Sequence, residues 1–423
     1  MSVIPRTFPE MAMVRQKLQR TAIADIPLAV HSALNSLDLK GLIEPRQTVA
    51  VAVGSRGISG IEIVVGRCID FLREKRLKPF IVPAMGSHGG ATAEGQRLVL
   101  EKLGIRETAL GVTITADMDV KTLARLSNGT QIYFSRAALK ADHIVLINRV
   151  KPHTKFQAEI ESGLCKMLTI GLGKAEGAAE YHRQAIRNTF SIIEDAARVV
   201  LLHCPILCGL ALVEDGHGDL SHIEAMIPEK IMAREKKLLK TAASMMGRIP
   251  FNDIDILVVD HFGKDFSGIG MDSNVTGRHR DIVGDFTMAP HVKRIFVRDL
   301  SPGSDGNGNG IGLADVTTRR LVEALDIKKT YMNAVTAISP EKAAIPIHVD
   351  TDREAIDICA RTAGLIDPSS ARLVRIKNTK HLEEIQVSKA LIAEVEGNPD
   401  LELLSRWRAM AFGQDGNLLP FDA

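Results

Sequence analysis

The chain of 423 residues is poor in aromatic side chains, which make up 4% of the sequence and include a single Trp. Stacking on single-stranded nucleic acid and large recognition surfaces both depend on such residues. A surplus of one charge is also missing, because 53 basic and 51 acidic side chains leave a net charge of +2. We therefore expect neither nucleic acid nor an anionic membrane surface as a partner.

Long apolar runs are absent as well. No run approaches the roughly 20 apolar residues that a membrane-spanning helix needs, and prolines and charged residues interrupt the first sixteen residues, where a signal peptide would have its apolar core. The five cysteines are odd in number and lie in apolar stretches. Cys204 and Cys208 are expected to be buried thiols, and a reduced, cytoplasmic location fits best.

Short runs rich in Val and Ile alternate with helical patterns, which is typical of parallel α/β sheets. We predict two α/β domains with mainly parallel sheets, covering residues 1–248 and 249–423, with an active-site cleft between them. A helix is also predicted from about residue 315. The predicted strands cover residues 48–54, 78–86, 141–150, 206–214, 254–260, 294–300, 345–350 and 371–378.

Glycine and polar residues follow several of these strands. The sequence GSRG follows the first strand, GSHGG the second, KPH the third, and HFGKD the first strand of the second half. Because ligands collect at the carboxyl ends of parallel strands, these segments indicate one binding site.

The turn after the first strand contains Gly54, Gly57 and Gly60 in the pattern G-x-x-G-x-x-G. Dinucleotide-binding turns have G-x-G-x-x-G, and the second strand lacks the acidic residue that would hold a ribose. A nicotinamide-dependent 2-hydroxyacid oxidoreductase, or a dehydratase, is therefore kept only as an alternative. Arg56 offers a guanidinium fork for a carboxylate, although a solvated arginine in a turn is the simpler interpretation.

Three further residues have chemistry to offer. His88 lies between glycines ahead of a predicted helix, where an imidazole can act as a general acid or base or merely occupy a turn. Lys166 lies in an apolar, glycine-punctuated stretch, where a lysine either extends its ammonium to solvent or is reactive. His182 falls in a predicted helix and could bind a metal, but one histidine does not define a metal site.

The second half contains a polar, glycine-rich stretch at 263–278 with Lys264, Asp272, Asn274 and Arg278. We interpret it as a loop that grips a ligand, with a solvated surface loop as the alternative. The Gly/Asn-rich segment 301–312 is either an ordered active-site loop or a linker.

The order and spacing of these motifs resemble the nickel-pincer lactate racemases. The resemblance lies in the Arg of V-G-S-R-G, the His of G-S-H-G-G, the His of K-P-H, the Lys of S-G-L-C-K-M-L-T-I-G and the His that follows in the next helix. It covers most of the first domain and, more loosely, the second.

The resemblance implies that Lys166 carries a covalently bound nickel-pincer nucleotide, a pyridinium mononucleotide that holds nickel through two sulfurs and a ring carbon. His182 would complete the square plane that Ni(II) prefers, and Gly57 is predicted as a further cofactor-binding residue. The implied partners are a small 2-hydroxycarboxylate and the enzymes that build the cofactor. Protein made without those enzymes is expected to lack the cofactor, and a homo-oligomer is left open.

The implied reaction inverts C2 of a 2-hydroxy acid. His88 and His153 match the catalytic histidines on opposite faces of the substrate, and Arg56 matches the residue that binds its carboxylate. The C2 hydrogen is weakly acidic, so its removal as hydride avoids a carbanion beside the carboxylate while a histidine accepts the hydroxyl proton. A relative that only binds a carboxylate is the remaining alternative.

The sequence departs from the family in one respect, because the Tyr-Gln-x-x-Lys motif with which characterised lactate racemases hold the substrate is absent. We therefore expect a substrate larger or more polar than lactate, such as a sugar acid. The residues predicted to bind its additional groups are Lys264, Asp272, Asn274 and Arg278.

Overall fold

The structure, a computed structural model, describes residues 7–188, 190–282 and 284–421. The chain divides into an N-terminal unit, residues 20–246, and a C-terminal unit, which combines residues 7–19 with residues 247–421. The first strand, β1 (Glu10–Gln16), pairs within the sheet of the C-terminal unit. The sequence-based prediction of one boundary near residue 248 had assigned β1 to the N-terminal domain. The observed boundary after residue 246 lies close to the predicted one. The cleft expected between the two units stays a prediction.

The N-terminal unit is built around a five-stranded sheet in the order β3-β2-β6-β7-β8, in which the first four strands are parallel and β8 is antiparallel to β7. The strands β4 and β5 form a separate hairpin. In chain order its elements are α1 (Ile26–Asn35), β2 (Thr48–Val53), α2 (Ile61–Glu74), β3 (Lys78–Pro83), α3 (Ala93–Lys102), α4 (Glu107–Leu110), β4 (Val120–Arg125), β5 (Gln131–Ser135), α5 (Arg136–Leu139), β6 (His143–Arg149), α6 (Leu164–Lys166), α7 (Lys174–Asn188), α8 (Ile192–His203), β7 (Ile206–Glu214), β8 (Leu220–Met226) and α9 (Pro228–Met245).

The strands β3 and β2 end level with one another, and β6 runs two residues further, to Arg149. Val53 is paired with Pro83 on one side and with Ile147 on the other. Residues 49–53 are inaccessible to solvent, as expected for a parallel strand covered on both faces. The loops that follow the three strands therefore begin side by side at one edge of the sheet.

The C-terminal unit contains a nine-stranded sheet in the order β14-β13-β12-β9-β15-β16-β1-β17, with β18 also paired to β1. The strands from β14 to β15 are parallel and the remaining pairs are antiparallel. In chain order its further elements are β9 (Asp253–Phe262), α10 (Ser273–Thr276), β10 (Arg278–His279), β11 (Phe286–Thr287), β12 (His291–Leu300), β13 (Val316–Thr318), α11 (Arg319–Glu323), α12 (Ile327–Thr336), β14 (Ile347–Val349), α13 (Asp352–Thr362), β15 (Leu373–Ile376), β16 (Glu384–Ser388), α14 (Ile392–Gly397), β17 (Leu401–Leu403) and β18 (Arg408–Ala409).

Both sheets confirm the predicted α/β class with mainly parallel strands. The helix predicted from about residue 315 begins later, at Arg319, because the short strand β13 precedes it. Segment 301–312 packs into the unit and is not a linker. Ser304 and Asn309 are buried there, and the Asn309 amide donates to Asn333 Oδ1 at 3.3 Å.

The sequence predicted that membrane-spanning helices are absent and that Cys204 and Cys208 are buried thiols. In the described ranges, no helix is both long and apolar enough to cross a membrane. All five cysteines are buried thiols outside any disulfide, which confirms the expectation for Cys204 and Cys208. Burial raises the pKa of the Cys208 thiol to about 12, so it is inert at neutral pH.

A buried carboxylate connects α13 to the sheet of the C-terminal unit. Asp352 is inaccessible to solvent and accepts hydrogen bonds from Arg298 Nε at 2.7 Å and Arg320 Nη2 at 2.6 Å. It also accepts the backbone N–H of Leu418 at 2.9 Å, which holds the C-terminal segment in place. A buried charge is tolerated because its partners surround it, and removal of one partner is costly.

We expect Asp352→Asn to lower the free energy of unfolding by about 1–3 kcal/mol, because Arg298 and Arg320 lose their shared countercharge and each keeps another carboxylate partner, Asp260 and Asp299. The matched control is Asp350→Asn, which breaks an exposed pair with Arg319 and should cost less than about 1 kcal/mol. Urea unfolding followed by circular dichroism measures both. Equal losses in the two variants would contradict the role assigned to the buried network.

Candidate active site

His88 occupies the loop between β3 and α3, and two neighbours fix its position. Its Nδ1 is hydrogen bonded to Ser55 Oγ, from the loop after β2. Gln96 of α3 donates through Nε2 to the carbonyl oxygens of Gly86 at 2.8 Å and His88 at 3.3 Å. The loops after β2 and β3 are therefore joined at the imidazole ring.

The glycines beside His88 allow this loop to lie against α3. Gly89 has φ +67°, a conformation that favours glycine. A Cβ atom added to Gly95, in the first turn of α3, would lie 1.8 Å from the carbonyl oxygen of Gly89. Glycine at positions 89 and 95 thus allows the two backbone segments to lie in close contact, and no other residue type fits at either position.

His153 follows β6 and is held by both its ring and its backbone. The ring stacks on Phe156 with centroids 4.4 Å apart, and Phe156 stacks on Phe190 at 4.1 Å. Nδ1 accepts the backbone N–H of Lys155 at 3.0 Å, and the N–H of His153 donates to the Glu161 carboxylate. These contacts leave the orientation of the imidazole well defined.

Lys166 ends α6 with its Nζ 2.5 Å from Nε2 of His153. Burial, together with the positive charges of Arg56 and Lys155, lowers the pKa of Lys166 to about 7, with Glu161 acting in the opposite direction. A substantial fraction of this side chain is therefore a neutral amine at neutral pH, whereas an ordinary lysine is almost wholly charged.

The helical segment that carries Lys166 is anchored by a buried carboxylate of α9. Glu235 accepts the backbone N–H of Cys165 at 3.0 Å. A Cβ atom on Gly163 would lie 2.4 Å from the Glu235 carboxyl group, so this position must be glycine for the carboxylate to fit. A π-helical turn, Met167–Gly171, follows, and such turns are frequent at functional sites.

Arg56 and Gly57 lie in the turn after β2. The charge of Arg56 acts on Lys166, which places the guanidinium near the amine. Glu214 supports the turn, because it pairs with Arg149 and accepts the N–H of Ser59 at 3.1 Å. A Cβ atom on Gly57 would meet nothing within 4 Å, so the folded chain alone does not require glycine there.

His182 lies on α7, half-buried, with its ring edge-on to Phe190 at 6.3 Å. Phe190 stacks on Phe156, and Phe156 stacks on His153, so a row of aromatic rings connects His182 with His153. In the part of the chain that the structure describes, no group of three His, Cys, Asp or Glu side chains could hold a metal ion. A metal at His182 would need most of its donors from another molecule.

The structure thus brings Arg56, His88, His153 and Lys166 to one edge of the N-terminal sheet, through the contacts with Ser55 and between His153 and Lys166. Sequence analysis missed several supporting residues, namely Ser55, Phe156, Glu161, Phe190 and Glu235. One of them carried a signal. Glu235 falls among Ile231, Leu238 and Leu239 on the buried face of α9, where a carboxylate stands out.

Three of the four residues predicted in the second half lie near carboxyl ends of strands in the C-terminal unit. Lys264 follows β9 and donates through Nζ to the carbonyl oxygens of Gly268 at 2.7 Å and Asn309 at 3.3 Å. Asp272 and Asn274 are buried together, with the Asn274 amide donating to Asp272 Oδ1 at 3.0 Å. The backbone N–H of Asp272 donates to Thr379, beyond the end of β15.

Arg278 lies at the other end of the same sheet. Its guanidinium pairs with Asp315 at 2.6 Å and donates to the carbonyl of Val292, at the start of β12, at 2.7 Å. Lys264 instead follows the end of β9, which runs parallel to β12. The length of the strands therefore separates Arg278 from Lys264, and the predicted role of Arg278 in substrate binding stays a prediction.

Two imidazoles, an amine of lowered pKa and a guanidinium thus lie at the carboxyl edge of a parallel sheet, where α/β proteins commonly bind ligands, and imidazole and amine groups are suited to acid–base chemistry. Residues 9–192 match the family model of the lactate racemase N-terminal domain, so this region of the chain is similar to that domain.

Among solved structures, the lactate racemase apoprotein from Thermoanaerobacterium thermosaccharolyticum is similar, at 13% sequence identity. The alignment covers 92% of each chain with a TM-score of 0.47. No curated protein sequence matches the chain.

Glu235 makes the stability of the N-terminal unit depend on pH. Burial raises its pKa from 4.5 to about 7, so between these values the folded chain binds more protons than the unfolded chain, and stability falls as pH rises. We expect Glu235→Gln, which keeps an oxygen acceptor without the charge, to gain stability over the wild type between pH 5 and pH 8, by up to about 3 kcal/mol.

Urea unfolding at the two pH values measures this gain. The matched control is Glu229→Gln, at an exposed position of α9, which tests whether loss of any carboxylate from this helix has the same effect. A gain for Glu235→Gln that is no larger at pH 8 than at pH 5 would be incompatible with the assigned burial of charge.

Proposed function

We propose that this protein is a racemase or epimerase that inverts C2 of a 2-hydroxy acid with a nickel-pincer nucleotide bound covalently to Lys166. The match to the lactate racemase family supports an isomerase that acts on a hydroxy acid. The observation that carries the finer proposal is the 2.5 Å contact between Lys166 Nζ and His153 Nε2. It joins a group suited to covalent attachment with one suited to proton transfer.

The residues present fit such a cofactor. An amine with a pKa of about 7 is a nucleophile at neutral pH, as covalent attachment requires. The described residues include no group of three His, Cys, Asp or Glu side chains that could hold a metal, so a metal would have to come with donors of its own, and His182 would supply one more. Gly57 offers an uncrowded backbone for close approach. When bound, the nucleotide supplies an acceptor for the hydride of C2.

The chain's own residues would bind the substrate and move its hydroxyl proton. Arg56 would pair with the carboxylate through its guanidinium fork. The Nδ1 atom of His88 is hydrogen bonded to Ser55, and that of His153 accepts a backbone N–H. Each histidine would therefore exchange a proton with the substrate through Nε2. Inversion needs two such groups, because hydride returns to the other face of a planar 2-oxo intermediate and a second group there supplies the proton to the hydroxyl oxygen.

We further propose a substrate larger or more polar than lactate. The three tyrosines of the sequence are followed by Phe, His and Met, so none begins a Tyr-Gln-x-x-Lys motif. The polar residues Lys264, Asp272 and Asn274 lie near the carboxyl ends of strands in the C-terminal unit and are candidates for binding additional hydroxyl groups. A site built from polar groups disfavours a substrate that leaves them unpaired.

Co-expression with the cofactor-building enzymes should increase the intact mass of the protein and add visible absorbance. Both changes should vanish in Lys166→Ala, because the nucleophile is lost, and persist in the control Lys155→Ala, which alters a neighbouring amine. Mass spectrometry and absorbance spectra measure the outcome. An unmodified wild-type mass, obtained while the cofactor pathway is demonstrably active, would contradict covalent attachment.

Aldonic acids should be epimerised with a kcat/KM at least about tenfold above that for lactate, the discrimination that roughly one unsatisfied polar contact provides. The loaded protein is incubated with each acid, and the products are separated by chiral chromatography. Lactate turnover that matches or exceeds that of aldonic acids would refute the substrate proposal while leaving the reaction type intact.

A further inference from the structure

The hydrogen bond between His153 and Lys166 has a direction that the surrounding backbone decides. The backbone N–H of Lys155 points at Nδ1 of His153 from 3.0 Å. A backbone N–H can only donate, so Nδ1 acts as the acceptor and the neutral ring carries its hydrogen on Nε2. Nε2–H then donates to Nζ of Lys166, 2.5 Å away. An ammonium group has no lone pair to accept it, so Lys166 must be a neutral amine in this arrangement.

The charges that face Lys166 favour the same protonation state. Arg56 and Lys155 disfavour an ammonium group, and burial adds to their effect. Glu161 is the opposing charge, but it already accepts the backbone N–H groups of His153 and, at 3.0 Å, Ala158. Burial also raises the pKa of Glu161, which weakens it as a counterion. Geometry and electrostatics therefore agree on a neutral amine.

We propose that His153 and Lys166 form a loading switch, meaning that the hydrogen bond between them occupies both side chains until the cofactor is attached to Lys166. In the unloaded chain, Nε2–H of His153 holds Lys166 as a neutral amine that can accept an acyl group. Acylation of Lys166 removes the acceptor and releases the imidazole to the substrate. The inference rests on the proposed function and adds an order to it, in which attachment precedes substrate binding at His153.

The covalent step balances without an oxidant or a reductant. The Nζ lone pair adds to the carbonyl or thiocarbonyl carbon of an activated acyl compound, and an N–C bond forms. The bond from that carbon to the leaving group breaks, the leaving group departs with the electron pair, and Nζ loses one proton to water. The lone pair of the resulting amide nitrogen is delocalised into the carbonyl group, so the nitrogen no longer accepts the Nε2–H of His153.

The first test measures acetylation of the unloaded protein by the N-hydroxysuccinimide ester of acetic acid, followed lysine by lysine with peptide mass spectrometry from pH 6 to pH 9.5. Lys166 should be half-maximally reactive near pH 7 and, at pH 7, react at least about tenfold faster than exposed lysines. Acetylation of Lys166 at the rate of exposed lysines at pH 7 would overturn the proposal.

Lys174 is the matched control within the chain. Burial lowers its pKa as well, to about 8, but its Nζ is enclosed and donates to the carbonyl oxygen of Pro83 at 2.7 Å and to Gln96 Oε1 at 3.2 Å. We expect little acetylation of Lys174 across the pH range. Rapid acetylation of Lys174 would show that a lowered pKa alone, and not the contact with His153, determines reactivity.

The second test records the ring nitrogens of the histidines by NMR before and after acetylation, with the His153 signals assigned from their loss in His153→Gln. The unloaded protein should show His153 as the Nε2–H tautomer at pH 8, and acetylation should shift its Nε2 signal. The signals of His88, bonded to Ser55, should stay in place. An Nδ1–H tautomer, or a His153 signal that acetylation leaves unmoved, would overturn the switch.

Neither test uses the nickel-pincer nucleotide, so the two proposals can fail separately. A mass increase on co-expression together with an Nδ1–H tautomer would reject the switch and leave the proposed function standing. The Nε2–H tautomer in a protein that never gains mass would reject the covalent cofactor and retain the His153–Lys166 hydrogen bond.

Discussion

The site depends on the parallel pairing of β3, β2 and β6. Val53, the last residue of β2, is paired with both Pro83 and Ile147, and β6 ends two residues later, so the loops that follow the three strands start at the same edge of the sheet. The loop after β2 supplies Arg56, the loop after β3 supplies His88, and the loop after β6 supplies His153. Burial of the strands on both faces makes this edge rigid, and rigidity is what allows short polar loops to present chemical groups in fixed positions.

Burial of lysine is the second constraint, and the chain meets it in three ways. Lys342 is inaccessible and pairs with Asp281 at 3.0 Å, so a countercharge compensates it. Lys174 is inaccessible and donates to carbonyl oxygens, so hydrogen bonds compensate it. Lys166 faces cations and an imidazole, and it avoids the cost of a buried charge by losing its proton. Only Lys166 combines a lowered pKa with a neighbouring imidazole, which separates it from the two structural lysines.

Much of the fold could be predicted, because strands and helices follow from local periodicity. The strands β2, β3, β6, β7, β9, β12 and β15 all lie within or overlap the predicted runs. The short strands of the antiparallel half were missed, because β16 and β17 are only five and three residues long and are stabilised by pairing with β1, far away in sequence. Contacts of that kind carry no local signal.

The candidate site divides in the same way. The topology of a parallel sheet predicts that the polar loops after its strands gather at one edge. Arg56, His88, His153 and Lys166 lie at that edge. The supporting contacts from Glu235 and Ser55 were not evident, because a hydrogen bond between distant segments depends on distances of a few tenths of an ångström. The separation of Arg278 from Lys264 was not evident either, since sixteen neighbouring residues can span both ends of a sheet.

The sequence alone determined the α/β class, the approximate division of the chain and the set of chemically capable residues, because these depend on residue type and local order. Only the tertiary structure decided that β1 joins the distant C-terminal unit, that Arg278 serves an ion pair, and that His153 donates to Lys166. Each of those outcomes depends on which atoms from separate segments come within bonding distance, and the backbone N–H of Lys155 sets the direction of the last one.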